Sequence, residues 1–243
     1  MKNLPPLILF FFICDLTLAL LYLGNWWLLQ PFHKINLLLD LDGEANLPTW
    51  YSSMQLFLVG GLLAIFAYGK FDKRDKASWL LIVWPLVFVA LSIDEVVTIH
   101  EWLGGKSDIL LPGGTRQHTM FWSTGIWMFL LGPPFFLFML GLIFSLKKYL
   151  GGRPEVITKL YTGLLIFIGA AAGVEFLANA VPNESAGHII EIFCEELGEM
   201  IGETFFLWAA YALLQSYNFS NNTFSNSPTQ KLPAEMFAEE KSL

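Results

Sequence analysis

Thiols, cationic side chains and long polar stretches are what this chain has least of. It carries two cysteines in 243 residues, Cys14 and Cys194. Both fall in apolar runs, which excludes a disulfide framework and a thiolate metal site together. Charged residues make up 14% of the chain, against roughly 25% in an ordinary soluble domain. With 55% hydrophobic and 16% aromatic residues, the composition is that of a polytopic membrane protein. Acids outnumber bases by 21 to 14, and the net charge of −7 argues against a nucleic-acid partner. No A-x-A-like cleavage site follows the first apolar run. That run continues past Asp15 to Trp27, about 22 residues, so a retained span is expected in place of a signal peptide.

Apolar runs long enough to cross a bilayer core of about 30 Å, at about 1.5 Å per residue, occur near 5–29, 49–69, 78–103, 119–146, 158–181 and 188–216. The fold class expected is all-α: a bundle of six transmembrane helices occupying residues 1–216, followed by a polar, disordered tail over 217–243. Trp50, Tyr51, Trp79 and Trp102 stand near run ends, as interfacial anchors do. Gly132, Pro133 and Pro134 predict a kink in the fourth span. The segments around 70–77 and 147–159 carry Lys70, Lys73, Arg74, Lys76, Lys147, Lys148, Arg153 and Lys159, whereas the opposite loops offer only Lys34, Lys106 and Arg116. Both termini are therefore expected in the cytoplasm, in a bacterial inner membrane. That orientation puts all four histidines, His33, His100, His118 and His188, on the non-cytoplasmic side.

The apolar runs also hold ten carboxylates: Asp15, Asp94, Glu95, Glu101, Glu175, Glu191, Glu195, Glu196, Glu199 and Glu203, and no Lys or Arg lies among them. An ionised side chain at mid-bilayer costs about 2.5–3.5 kcal/mol or more on insertion scales, so unpaired acids must be protonated, hydrated or bound to a cation. In the sixth span His188, Glu191, Glu195 and Glu199 follow i, i+3, i+7, i+11, one stripe of a helix, with Glu196 and Glu203 forming a second stripe beside it. In the third span Asp94, Thr98 and Glu101 are expected on one face, with Glu95 and His100 flanking it. The fifth span brings Glu175, with Asn179 one turn above. The small-residue pairs Gly169/Gly173 and Gly198/Gly202 predict close approach of the fifth and sixth spans.

Carboxylates with one to three imidazoles are ligands for iron, manganese or zinc, and a helix bundle of this kind has room for two ions. Asp94, His100, Glu101, His188, Glu191, Glu195 and Glu199 are the metal ligands expected, with His118 a further candidate nitrogen. Glu95, Glu175 and Glu196 are the expected proton carriers. The reading is a metal-dependent membrane oxidoreductase acting on a lipid or quinone-like substrate. Alternatives are a proton- or cation-coupled transporter, an intramembrane metal-dependent hydrolase and a non-catalytic assembly protein. Two dispositions weaken any site: spans five and six lining a water cavity, or residues 188–203 lying flat on the membrane. Arg116 has two expected roles, pairing with the acids or anchoring at headgroups. Asp15 is expected to be protonated, or paired with Thr17 and a neighbouring helix.

The loop reading Asp40-Leu-Asp-Gly-Glu44 lacks the later ligands of an EF-hand, so an Asx-type turn is expected there, able to serve as a lid because its acids face the site. Ser52 and Ser53 lack the Gly-x-Ser-x-Gly setting of a nucleophile. Asp40-Leu-Asp-Gly-Glu44 with Pro48-Thr-Trp-Tyr-Ser-Ser53, taken with Ser92-Ile-Asp-Glu95 and His100-Glu101, resembles a family of uncharacterised bacterial multi-pass membrane proteins. The resemblance covers about residues 35–105 and implies no established activity.

Overall fold

The computed structural model describes residues 4–117, 119–150, 153–182 and 185–215. The polar tail expected over 217–243, and His118, lie outside the described residues. Helices run over Pro6–Trp27 (α1), His33–Leu39 (α2), Leu47–Lys70 (α3), Leu80–Val97 (α4), Ile99–Ser107 (α5), Trp127–Leu146 (α6), Pro154–Ile168 (α7), Glu175–Ala178 (α8) and Ala186–Gln215 (α9), and there is no strand among the described residues. Among the described residues, six helical segments are long and apolar enough to cross a membrane: Pro6–Trp27, Leu47–Lys70, Lys76–Val97, Trp127–Leu146, Pro154–Ala178 and Ala186–Gln215. The chain is a multi-pass helical membrane protein.

Local chemistry sets the helix starts. Pro6 and Pro154 occupy the first turns of α1 and α7, where a missing N–H costs nothing. The Asn46 side chain accepts the Thr49 N–H at 3.1 Å and caps α3, and the Ser185 hydroxyl oxygen accepts the His188 N–H at 3.2 Å at the head of α9. α9 is the central element, packed against α1, α3 and α7. The core joins Leu56, Leu63 and Phe66 of α3 to Trp84 and Phe88 of α4 and Phe206 of α9. Phe10, Leu20, Phe57, Leu86, Leu137, Phe144 and Leu165 point out of the bundle. An apolar surface of that extent is what a helix presents to lipid tails.

Three expectations change. The third span does not run to 103: the backbone turns left-handed at Thr98, with φ of 53°, and a new helix starts at Ile99. Asp94, Thr98 and Glu101 therefore do not share one helical face. The fourth span begins at Trp127 and not near 119, and its helix continues through Pro133 and Pro134. The fifth span contains a π-helical segment, Gly169–Val174, between α7 and α8.

Close packing of α7 on α9 occurs as predicted, by a different pair of residues on one side. A Cβ on Gly202 would lie 2.8 Å from Phe167 Cβ and 3.0 Å from the Gly163 carbonyl, and one on Gly198 would lie 2.7 Å from Ala170 Cβ. Gly169 and Gly173 have nothing within 4 Å of a built Cβ. The wider π turn carries those two glycines off the contact, and Gly163 and Ala170 take their place.

Candidate functional site

One end of the bundle, where α3, α6 and α9 begin and α1 and α4 end, encloses a cavity of about 820 Å³. All ten residues singled out above as ligands or proton carriers line it: Asp94, Glu95, His100, Glu101, Glu175, His188, Glu191, Glu195, Glu196 and Glu199. Asp42 and Glu44, from the loop before α3, complete the acidic wall. Leu131, Phe135 and Phe138 of α6 and Phe167 and Ile168 of α7 give the lining its apolar part.

Two imidazoles are held in the same manner. Asp94 Oδ1 accepts the backbone N–H of His100 at 3.0 Å, and its Oδ2 lies 2.8 Å from His100 Nδ1. The break at Thr98 makes this possible, because Asp94 then closes the first turn of α5. Glu191 Oε2 lies 3.1 Å from His188 Nδ1, across one turn of α9. A carboxylate on Nδ1 fixes the tautomer and leaves the Nε2 lone pair for a ligand. Glu191 is 7% exposed, and its Oε1 has no hydrogen-bond partner.

A second chain of contacts sets Glu175. The His100 ring lies 5.2 Å from that of Trp127, and the Trp127 indole N–H donates to Glu175 Oε1 at 3.2 Å. Asn179 is a framework residue: its Nδ2 donates to Thr124 Oγ1 at 2.8 Å and its Oδ1 accepts the Ser123 N–H at 3.1 Å, tying the segment before α6 to the end of α8. Sequence reasoning passed over Trp127, which falls inside the apolar run 119–146 and opens a helix only in the structure.

Three further acids of α9, Glu195, Glu196 and Glu199, sit among other acids. Glu195 is surrounded by the charges of Glu199, Glu175, Glu196 and Glu191. Glu196 meets those of Glu95, Asp42, Glu44 and Glu191, and Glu199 those of Glu196, Glu95, Glu175 and Asp94. In the loops, burial and then the charge of Asp40 push the Asp42 carboxyl above its ordinary range, and burial and then Glu101 do the same for Glu44. Burial pulls His100 down, but the hydrogen bond and charge of Asp94, with the charges of Glu101 and Glu95, outweigh it and raise its pKa. Arg116 also lines the cavity, yet it does not neutralise this group. Its Nε donates to Asp108 at 2.7 Å and its Nη1 to the Ser123 carbonyl at 2.8 Å.

Among the described residues, no three His, Cys, Asp or Glu side chains are gathered closely enough to hold a metal ion. The Asp40–Glu44 loop is folded around Asn46, whose Nδ2 donates to the Asp40 carbonyl at 2.6 Å and to that of Gly43. These bonds run from a side-chain amide to backbone carbonyls, whereas the Asx-type turn expected has a side-chain oxygen accepting a backbone N–H. Ser53 and Ser92 clamp α3 to α4, each hydroxyl donating to the other's carbonyl at 2.8 Å. Asp15 is not paired with Thr17, which donates to the Ile13 carbonyl at 2.6 Å. It accepts from Tyr51 at 2.6 Å, Thr204 at 2.8 Å and Gln55 at 3.2 Å.

A family model described as a domain of unknown function, DUF8692, matches residues 8–214. The chain belongs to that family. The match runs from the first turn of α1 to the end of α9 and includes every residue of the cavity wall. No curated protein and no solved structure matches the chain. The resemblance drawn from residues 35–105 is correct in kind: the family carries no established activity.

Proposed function

We propose that the cavity is the active site of a metal-dependent membrane enzyme acting on an amphiphilic, membrane-soluble substrate. The observation that carries this reading is the convergence of ten acids and two pre-oriented imidazoles on one cavity whose lining guanidinium, Arg116, is already engaged by Asp108. Ten carboxylates ionised at that density would repel one another strongly, and a bound cation is the remedy that keeps them ionised. The pairing of each histidine with a carboxylate refines the ligand set. His100 and His188 offer Nε2, Asp94 and Glu191 orient them, and Glu101, Glu195 and Glu199 supply oxygen. The unpartnered Oε1 of Glu191 is a further donor atom. Because these groups are not yet gathered around one point, the ion would draw them together on binding.

The volume is that of a small-molecule site, about 300–1,000 Å³. The acid wall suits a polar headgroup or quinone-like ring, and the phenylalanines of α6 and α7 suit an apolar tail. Mixed oxygen and imidazole ligation favours iron or manganese and oxidoreduction; zinc in the same ligands would make the enzyme a hydrolase. The lysines and arginines of the opposite loops orient the cavity toward the non-cytoplasmic side of a bacterial inner membrane, with both termini in the cytoplasm. Elemental analysis of the detergent-purified protein, expressed in metal-replete medium, tests the reading. Wild type should retain iron, manganese or zinc near one or two equivalents per chain, and Glu195→Gln should lose it. A folded wild type free of these metals would remove its basis.

A further inference from the structure

The apolar part of the cavity is a slot with a polar head. On α6, Trp127, Leu131, Phe135 and Phe138 follow i, i+4, i+8 and i+11, one side of a helix, and all four line the cavity. On the fifth span Ile168, Ala171 and Ala172 line it in the turns before Glu175. Consecutive spans run in opposite directions, so Trp127 and Glu175 stand at the same end, where the indole N–H donates to Glu175 Oε1 at 3.2 Å. From Trp127 to Phe138 the stripe rises about 16 Å, the length of an extended chain of about a dozen carbons. The indole is held in place from behind: a Cβ built on Gly104 of α5 would lie 3.0 Å from its ring.

The charge around that head is one-sided. Among the described residues Trp127 is the only hydrogen-bond partner of Glu175, no lysine lines the cavity, and Arg116 serves Asp108 and the Ser123 carbonyl. On the same lining, Glu191 has a side chain 6% exposed and an Oε1 without a donor. Two divalent ions would balance fewer than half of the ten acids, and the ligand set proposed above leaves Glu175 out. The lining therefore stays anionic with the metal bound.

A hydrocarbon tail gains little by leaving lipid for an equally apolar slot, so a membrane-soluble ligand enters only if its head gains. An anionic head is repelled by the acids, and a neutral one finds no charge to match. A cationic head gains both the carboxylate of Glu175 and the ring of Trp127, the aromatic side chain that attracts cations best. We propose that the substrate is a single-chain cationic amphiphile, its ammonium group held by Glu175 and Trp127 and its tail laid along α6 and the fifth span. The proposal rests on the reading of the cavity as the site of a membrane-soluble substrate.

Equilibrium binding of radiolabelled dodecyltrimethylammonium to the full-length protein in dodecyl maltoside micelles, with protein-free micelles subtracted, tests it. Wild type should bind about one equivalent saturably, and roughly tenfold tighter than dodecyldimethylamine oxide, which has the same tail and no net charge at mildly alkaline pH. Glu175→Gln should weaken the cation roughly tenfold and leave the amine oxide unchanged. Tetramethylammonium, a head without a tail, should compete far more weakly. Equal affinity for the two dodecyl compounds, undiminished cation binding in Glu175→Gln, or tetramethylammonium binding as tight as that of the amphiphile would each overturn the proposal. If Glu175→Gln does not fold, the comparison of heads on wild type decides alone. Bound metal is measured in the same samples: manganese retained without cation binding overturns the cationic substrate and leaves the metal site standing, whereas cation binding by protein that holds no metal upholds the substrate class and removes the metal.

Discussion

Replacing Asp15 gives a graded test of the buried network that joins α1, α3 and α9. In Asp15→Ala, Tyr51 can fall back on the Phe11 carbonyl at 3.1 Å, and the Gln55 amide keeps Thr204 Oγ1 at 2.8 Å. The Thr204 hydroxyl loses its acceptor outright. One stranded donor costs about 1–3 kcal/mol, and exchanging two charge-assisted bonds for neutral ones adds about 1 kcal/mol, so the loss should be about 2–4 kcal/mol. Asp15→Asn keeps an acceptor for Tyr51 and Gln55 and sets an amide against Thr204, and should cost about 1 kcal/mol. Thermal unfolding in detergent, followed by tryptophan fluorescence, would read these as drops of roughly 5–15 °C and 2–4 °C. A variant Asp15→Ala as stable as wild type would refute the network as a stabilising element. Equal losses in the two variants would show that the charge matters and the hydrogen bonds do not.

Gly202→Ala forces a Cβ to within 2.8 Å of Phe167 Cβ and 2.9 Å of the Phe167 nitrogen, so it should destabilise by about 1–2 kcal/mol even after the helical preference for alanine is counted. Gly61→Ala, with nothing within 4 Å, is the matched control and should be neutral or slightly stabilising in the same melt. On the exposed face beyond the spans, the Lys148 ammonium at 2.7 Å, followed by the Tyr149 hydroxyl, lowers the Asp75 carboxyl from 3.8 to about 2. A depressed folded-state pKa contributes stability above the unfolded value. The melting-temperature gap between wild type and Asp75→Asn should therefore be full above pH 3.8 and shrink as pH falls through about 2; a gap that does not change with pH refutes the pairing. Trp127→Phe should leave the melt nearly unchanged but release Glu175 from its donor, detectable as a change in the infrared absorption of that carboxyl; an identical spectrum would deny the contact.

Much of the site was legible because a helix has one period. His188, Glu191, Glu195 and Glu199 at i, i+3, i+7 and i+11 had to share a stripe if residues 186–215 were one helix, and they line one wall. Glu203, on the second stripe, lies deeper and bonds Ser52, a partner that helical spacing on α9 could not reveal. What the sequence hid was local and long-range at once. Thr98 is β-branched and gave no sign of a left-handed backbone; the Asp94 carboxylate holding the His100 N–H accompanies that break. The Gly-Ala-Ala-Ala-Gly run reads equally well as an α or π turn, and only packing against α9 separates the two. Asp15 found its partners 36 to 189 residues away, beyond any local pattern.

Crystals of the protein grown with Mn²⁺ and measured at the manganese absorption edge would show whether the carboxylate and imidazole wall binds a divalent cation. An anomalous peak should appear inside the cavity, beside His188 and Glu195 and within reach of His100. Anomalous density only outside the cavity, or none at saturating Mn²⁺, would contradict it.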